Sequence, residues 1–312
     1  VLAKLPDAPA GTRGISLFLV PKFLPTEDGR PGARNGVVCT AIEHKMGIKA
    51  SATCAMRYED ATGWLVGEPH RGLAAMFLMM NSARLHVGLQ GLGHQEMAAQ
   101  NAQRYADERA QMGKPIAQHP AVRRTLQRLR TLTEAQRVLA YRAALALDLS
   151  ELHRDEAVRA REKRFAALLT PIVKAFCTHH GFHDPADALG VWGGYGYVHE
   201  YGIEQTVRDA RIAMIYEGTN QIQAIDLAQR KLLADGGVTA VELLDGLRAE
   251  LGTSPGLCAV FGEARALLPR WLARAATDNA FVLDTADDLL HGLAFALLAW
   301  AVARLDAAGE AH

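Results

Sequence analysis

The sequence predicts an α+β chain that is mostly α, a partial antiparallel β-domain followed by a helical bundle with extra C-terminal helices. Two successive textures carry that reading. Up to about Gly67 the chain is short apolar runs separated by turn residues. From Gly72 onward it is long stretches rich in Ala, Leu, Arg, Glu and Gln, which lose little side-chain freedom in a helix. The length of 312 residues adds a third observation, since it suits roughly two domains at about 150 residues each.

In chain order, Gly14–Pro21, Val37–Ile42 and Ala52–Tyr58 read as strands, with Asp28-Gly29 and Pro31-Gly32 as the turns between them. Helices are expected near 72–110, 119–150, 156–181, 203–215, 219–234, 238–250, 256–277 and 282–307. Gly113 with Pro115, Pro120, Gly181 with Pro185, the glycines of Gly193-Gly-Tyr-Gly196, and Gly236-Gly237 separate them. Pro171 falls inside a helical pattern and is expected to kink or break it. The expected domains are therefore 1–70, 71–235 and 236–312. Three or four strands alone would leave uncovered edges, and the first residue is Val1, not Met. Both features lead to the expectation that the chain is the C-terminal part of something longer.

Composition excludes several classes. Lys+Arg and Asp+Glu are both 34, so no global field recruits nucleic acid or an anionic membrane. A hydrophobic share of 49% argues against disorder. Cys39, Cys54, Cys177 and Cys258 form no C-x-x-C pair, which excludes a zinc framework or a disulfide scaffold and fits a reducing, cytoplasmic compartment. The longest clean apolar run, Gly292–Ala303, falls short of the ~20 residues a membrane helix needs, so no spanning segment is expected.

Several segments carry candidate chemistry beside a plainer reading. Trp192-Gly-Gly-Tyr-Gly-Tyr197 is followed by no Gly-Lys-Ser/Thr, and no G-x-G-x-x-G joins a strand to a helix, so neither a P-loop nor a Rossmann site is supported. Glycines at 190, 193, 194 and 196 still permit backbone to approach a ligand, or simply make a turn. His179 and His183 share an i,i+4 spacing, but Gly181 intervenes and no H-E-x-x-H pattern is completed, so no metal is expected. Arg123, Arg124, Arg128, Arg130 and Arg137 lie along one helix. A solvated face is the plain reading, and a docking face for phosphate or an acidic partner the sharper one. Gly88, Gly91 and Gly93 in a helical stretch suggest close helix packing. Glu217 stands in a helix-to-helix turn with Thr219 or Asn220 as the next N-cap. It reads either as an exposed turn residue or, beside Ile215, Tyr216 and Ile222, as a carboxylate facing an apolar pocket. Such a pocket raises a carboxyl pKa and makes a usable general base.

The order Met46-Gly-Ile-Lys-Ala-Ser51, Gly67-Glu68, Asn81-Ser-Ala-Arg84, Tyr105–Ile116, Gly193-Gly-Tyr-Gly-Tyr197, Val207-Arg-Asp-Ala-Arg211 and Tyr216-Glu-Gly-Thr-Asn-Gln-Ile-Gln223 resembles the C-terminal half of the acyl-CoA dehydrogenases. These motifs cover about residues 10 to 233. The strand Gly14–Pro21 and the helical tail past Gly237 resemble the larger branch of the family, which includes 3-methylmercaptopropionyl-CoA dehydrogenases. The resemblance implies a β-domain joined to a four-helix bundle, and FAD-dependent oxidation of an acyl-CoA thioester to the trans-2-enoyl-CoA.

By motif position, the resemblance implies Glu217 as the catalytic base and Asn81, Arg84, Tyr216 and Gly218 as substrate contacts. Relatives that carry the base one residue before the Arg have their counterpart here in Ala83, which leaves Glu217. For FAD it implies Arg109, His119, Gly190, Val191, Trp192, Gly193, Gly194, Thr219 and Gln221, with the adenosine-side contacts made across a subunit interface. It further implies a homodimer or homotetramer, with an electron-transfer flavoprotein as partner. A non-catalytic helical interaction module, and a DNA-associated alkylation-response flavoprotein suggested by the Arg123–Arg137 helix, stand as the alternatives.

Overall fold

A computed structural model describes residues 1–252 and 254–309, and of Asn81 the backbone alone. The chain divides into two compact units, 1–82 and 83–312, with the boundary inside the first long helix and not at the strand-to-helix change near residue 70.

The first unit is antiparallel throughout. β1 (Leu2–Lys4), β2 (Ile15–Leu19) and β7 (Trp64–Val66) form one sheet in the order β1-β2-β7. β3 (Phe23–Pro25) pairs with β4 (Pro31–Arg34), and β5 (Val37–Ile42) with β6 (Cys54–Tyr58), the last pair shifting register between Cys39 and Ala41. Val37 is buried, whereas Leu19, Ile42, Met56 and Trp64 are exposed. Polar groups tie this unit. Asn35 Nδ2 donates to the carbonyls of Pro21 and Thr62, and its Oδ1 accepts from the Gly36 and Thr62 amides, so one side chain fastens three loops.

Helix α1 (Gly72–Glu108) opens the helical part and is followed by the short hairpin β8 (Ala110–Gln111) and β9 (Lys114–Pro115). Met112 and Gly113 are both left-handed, the backbone a two-residue hairpin turn requires. α2 (Pro120–Leu152) begins with proline in its first turn, where the missing N–H is harmless. α3 (Glu156–Leu189), capped by Asp155, runs on through Pro171, Gly181 and Pro185. The expected stop at Gly181 is therefore overturned. A Cβ there would lie 2.5 Å from the Gly91 carbonyl oxygen, so this glycine serves a helix crossing and does not end a helix.

Gly88 and Gly91 belong to the same contact. A Cβ at Gly91 would meet the Cys177 carbonyl oxygen at 2.5 Å, and one at Gly88 would meet Val173 at 2.9 Å. Gly93 has nothing within 4 Å of that position, so packing does not explain it.

α4 (Ile203–Ala210) passes through a tight 3₁₀ turn to the Glu217 turn. α5 (Asn220–Ile225) widens into a π-helical stretch over Asp226–Leu232. α6 (Val238–Arg248), α7 (Pro255–Ala275) and α8 (Asn279–Gly309) complete the unit. One apolar core, including Leu139, Leu169, Ile172, Phe176, Leu227, Leu232, Phe261, Leu268, Leu290 and Leu297, joins the bundle helices to α7 and α8. By length and composition α8 is apolar enough to cross a bilayer, a property the twelve-residue run does not reveal. Over its most apolar window, 56% is buried within the protein.

Candidate functional site

The Glu217 turn is built from the backbone outward. Glu217 has φ +56° and Gly218 φ +86°, so two successive residues are left-handed, a conformation that strains a glutamate. Side chains hold the carbonyls of both. Arg84 Nε on α1 and Gln223 Nε2 on α5 donate to the Glu217 carbonyl at 3.4 and 3.0 Å. Lys174 Nζ on α3 donates to the Gly218 carbonyl at 2.7 Å and to Asn220 Oδ1 at 3.0 Å. Thr219 then caps α5, its hydroxyl accepting from the Ile222 amide at 3.3 Å.

Arg84 is buried and ion-paired with Asp226 at 3.3 Å, so it braces the turn from behind. Tyr216 Oη donates to Gln90 Oε1 on α1. Burial raises the phenol's pKa, the Gln90 bond opposes that, and the Glu217 charge adds to it.

The surroundings expected from sequence need one correction. Ile215 and Ile222 are 47% and 49% exposed, so they do not wall Glu217 into an apolar pocket. Instead the half-buried Glu217 stands near two buried cations, Arg84 and Lys174. Burial pushes the Lys174 ammonium down to about 8, with the Arg84 charge adding to the effect and the Glu217 carboxylate opposing it.

Sequence reasoning missed Lys174, Asn220, Gln223 and Asp226. A signal existed for the first, because Lys174 is the one charge in the run Phe165–Cys177 and a helix of that composition is buried.

A recess of about 750 Å³ gathers most of the remaining candidates. Arg109, His119 and Gly190, Val191, Trp192, Gly193 and Gly194 all line it, with Tyr105, Met112 and Tyr195. His119 Nε2 lies 3.2 Å from the Gln111 carbonyl oxygen, which ties the α2 start to the β8–β9 hairpin. Tyr105 stacks on Trp192 with ring centroids 5.1 Å apart, making one wall rigid. The Arg109 guanidinium lies 5.7 Å from the Tyr195 ring centroid and has no carboxylate partner among the described residues. Gly193 is left-handed, and Gly190, Gly193 and Gly194 have open space where a Cβ would stand. A flat, apolar-walled recess with a free guanidinium and bare backbone can take a nucleotide's base and its phosphates. Thr219 and Gln221 lie instead at the Glu217 turn, and Gln221 is exposed. The side chain of Asn81 lies outside the described residues.

The basic helix is largely neutralised. Arg128 pairs with Asp184 and Asp187, Arg130 with Glu134, and Arg137 with Glu96. Asp184 also accepts from Gln95 and approaches His180, so these side chains cross-link α1, α2 and α3.

Comparison with known proteins matches residues 70–232 to the model of the acyl-CoA dehydrogenase C-terminal domain. The chain is 48% identical over 261 residues to 3-methylmercaptopropionyl-CoA dehydrogenase of Ruegeria pomeroyi, covering 81% of this chain and 44% of that protein. It is 36% identical over 299 residues to the broad-specificity linear acyl-CoA dehydrogenase FadE5 of Mycobacterium tuberculosis, covering 89% and 48%. Among solved structures, an acyl-CoA dehydrogenase of Bacillus anthracis complexed with FAD superposes with a TM-score of 0.75 at 26% identity, over 98% of this chain and 54% of that one. The chain thus spans about half the length of the relatives it matches.

Proposed function

The chain belongs to the acyl-CoA dehydrogenase family, and from that premise we propose that it supplies the base and part of the FAD site for oxidation of an acyl-CoA thioester to the trans-2-enoyl-CoA. Because it spans about half of its relatives' length, the activity is assigned to a protein of their full extent, and the exposed strand faces of residues 1–82 fit a surface covered by further protein. The observation that supports the reading best is the Glu217 turn, a carboxylate on a left-handed backbone tied to α1, α3 and α5.

In this reading the Glu217 carboxylate takes the α proton of the thioester, while the β carbon gives up a hydride, leaving a C=C bond. Bound FAD supplies the two-electron acceptor for that hydride. Arg84 and Gln223 hold the Glu217 carbonyl, which limits where the carboxylate can reach. Tyr216 and Gly218 line the thioester side of the turn. Buried Arg84 acts through the turn, where the sequence pattern implied a substrate contact.

For the cofactor, Arg109 would face the pyrophosphate, and Gly190, Val191, Trp192, Gly193 and Gly194, with His119, would take the adenosine half. Thr219 and Gln221 would meet the remainder near the base. Adenosine-side contacts from a neighbouring copy make a homodimer or homotetramer part of the proposal, with an electron-transfer flavoprotein receiving the electrons.

The test is anaerobic addition of acyl-CoAs to the flavin-loaded protein carrying Glu217→Gln. Flavin content is expected to stay, and bleaching to slow by at least about 10²- to 10⁴-fold, the range for loss of a general base. Bleaching at a comparable rate would refute the assignment.

A further inference from the structure

We propose that Lys174 is a positioning residue for Glu217, its buried ammonium fixing the left-handed turn through the Gly218 carbonyl. This rests on the reading of Glu217 as the base. Lys174 is fully buried on α3, a placement a lysine rarely takes unless its charge is paired. No carboxylate lies within ion-pair distance of its Nζ among the described residues, and its printed partners are the Gly218 carbonyl and Asn220 Oδ1. Asn220 is itself locked, Oδ1 accepting from Thr178 Oγ1 at 3.0 Å and Nδ2 donating to the Ala175 carbonyl at 3.0 Å. Lys174, Asn220 and Thr178 thus form one buried clamp between α3 and the start of α5.

That clamp grips the residue after Glu217. With both residues left-handed, release of the Gly218 carbonyl frees the turn to relax and the carboxylate to swing. Two further facts separate this from a nucleophilic lysine. Lys174 is closed to solvent, and its ammonium already spends two of three donors. The charged and titratable groups around it are Arg84 on α1, whose partner is Asp226, and Glu217, with Tyr216 beside it in the turn. Arg84 disfavours the ammonium and Glu217 favours it.

The experiment is amide hydrogen exchange at residues 216–220 in the full chain, read against the amides of α8. In Lys174→Met the turn amides are expected to exchange about tenfold faster, with α8 unchanged. Lys174→Gln keeps a donor without the charge. It should restore turn protection toward that of the parent.

The unsubstituted chain gives an independent reading that needs no variant to fold. As pH rises through about 8 and Lys174 deprotonates, the turn amides should lose protection relative to those of α8. Unchanged turn protection in Lys174→Met, or no loss of protection in the parent as pH rises through about 8, overturns the proposal. If bleaching is still lost in Glu217→Gln, only the role of Lys174 falls. If bleaching persists there, the base itself is misassigned, whatever the exchange shows.

Discussion

Arg84 and Asp226 face each other at 3.3 Å with under a tenth of either residue exposed, and Arg84 is also the group that holds the Glu217 carbonyl. Removing one member of such a pair strands the other charge in the interior, which costs more than the pair itself contributes. Asp226→Asn is therefore expected to destabilise the helical unit by about 3 kcal/mol, read as a lower urea midpoint. Arg230, four residues on, approaches Asp226 at 3.4 Å but is largely exposed, so Arg230→Ala should change stability by less than about 1 kcal/mol. Equal effects from the two substitutions would show that the Arg84–Asp226 pair has no special standing. At this scale the motifs name Glu217, Arg84 and Tyr216, which the structure brings to one turn. They did not reveal that Arg84 turns to Asp226, because residues 142 apart meet only through the packing of α1 on α5.

Helices α1 and α3 cross where Gly91 meets Gly181, and the two backbones come closer than any side chain permits. Alanine at Gly91 would gain helix propensity yet push its Cβ against the Cys177 carbonyl, so Gly91→Ala is expected to destabilise by about 1–3 kcal/mol. Gly93 offers the opposite case on the same helix. With open space at its Cβ position, Gly93→Ala should stabilise by up to about 1 kcal/mol through propensity alone. Denaturant unfolding of the two variants checks both signs, and like signs would mean that the crossing is looser than the geometry indicates. Local sequence rules treated Gly181, Pro171 and Pro185 as breaks, whereas α3 continues through all three. Proline in a helix loses one backbone hydrogen bond, a local cost of about 3 kcal/mol. The buried flank of α3, from Phe165 to Cys177, outweighs it.

Across the whole helical unit, the contact between α3 and α8 carries a titratable cluster. His179 lies within 4.3–5.3 Å of the rings of His183, His180 and His291, the last on α8. Burial first, and then the charges of His183, His180 and His291, push His179 down from 6.5 to about 4, with Asp184 opposing. The folded chain therefore binds fewer protons here than the unfolded one between those values. Stability from this group is full above pH 6.5 and lost as pH falls through about 4. The urea midpoint should drop between pH 7.5 and pH 4.5, and the drop should be smaller in His179→Met. An identical drop in both would assign the acid sensitivity to other groups.

The sequence by itself determined the class and order of the elements, since the change from turn-punctuated apolar runs to long Ala- and Leu-rich stretches reports local backbone preference. It also placed Glu217 in a turn with Thr219 or Asn220 as the cap, because capping positions leave local residue signatures, and the structure selects Thr219. Tertiary structure alone decided that the turn is gripped by Arg84, Lys174 and Gln223, and that Arg109 and Trp192 share one recess. It also decided that α8 is a core helix. Each of these depends on contacts between residues distant in the chain, whose energies have no counterpart in local propensity and come into being only when the helices pack.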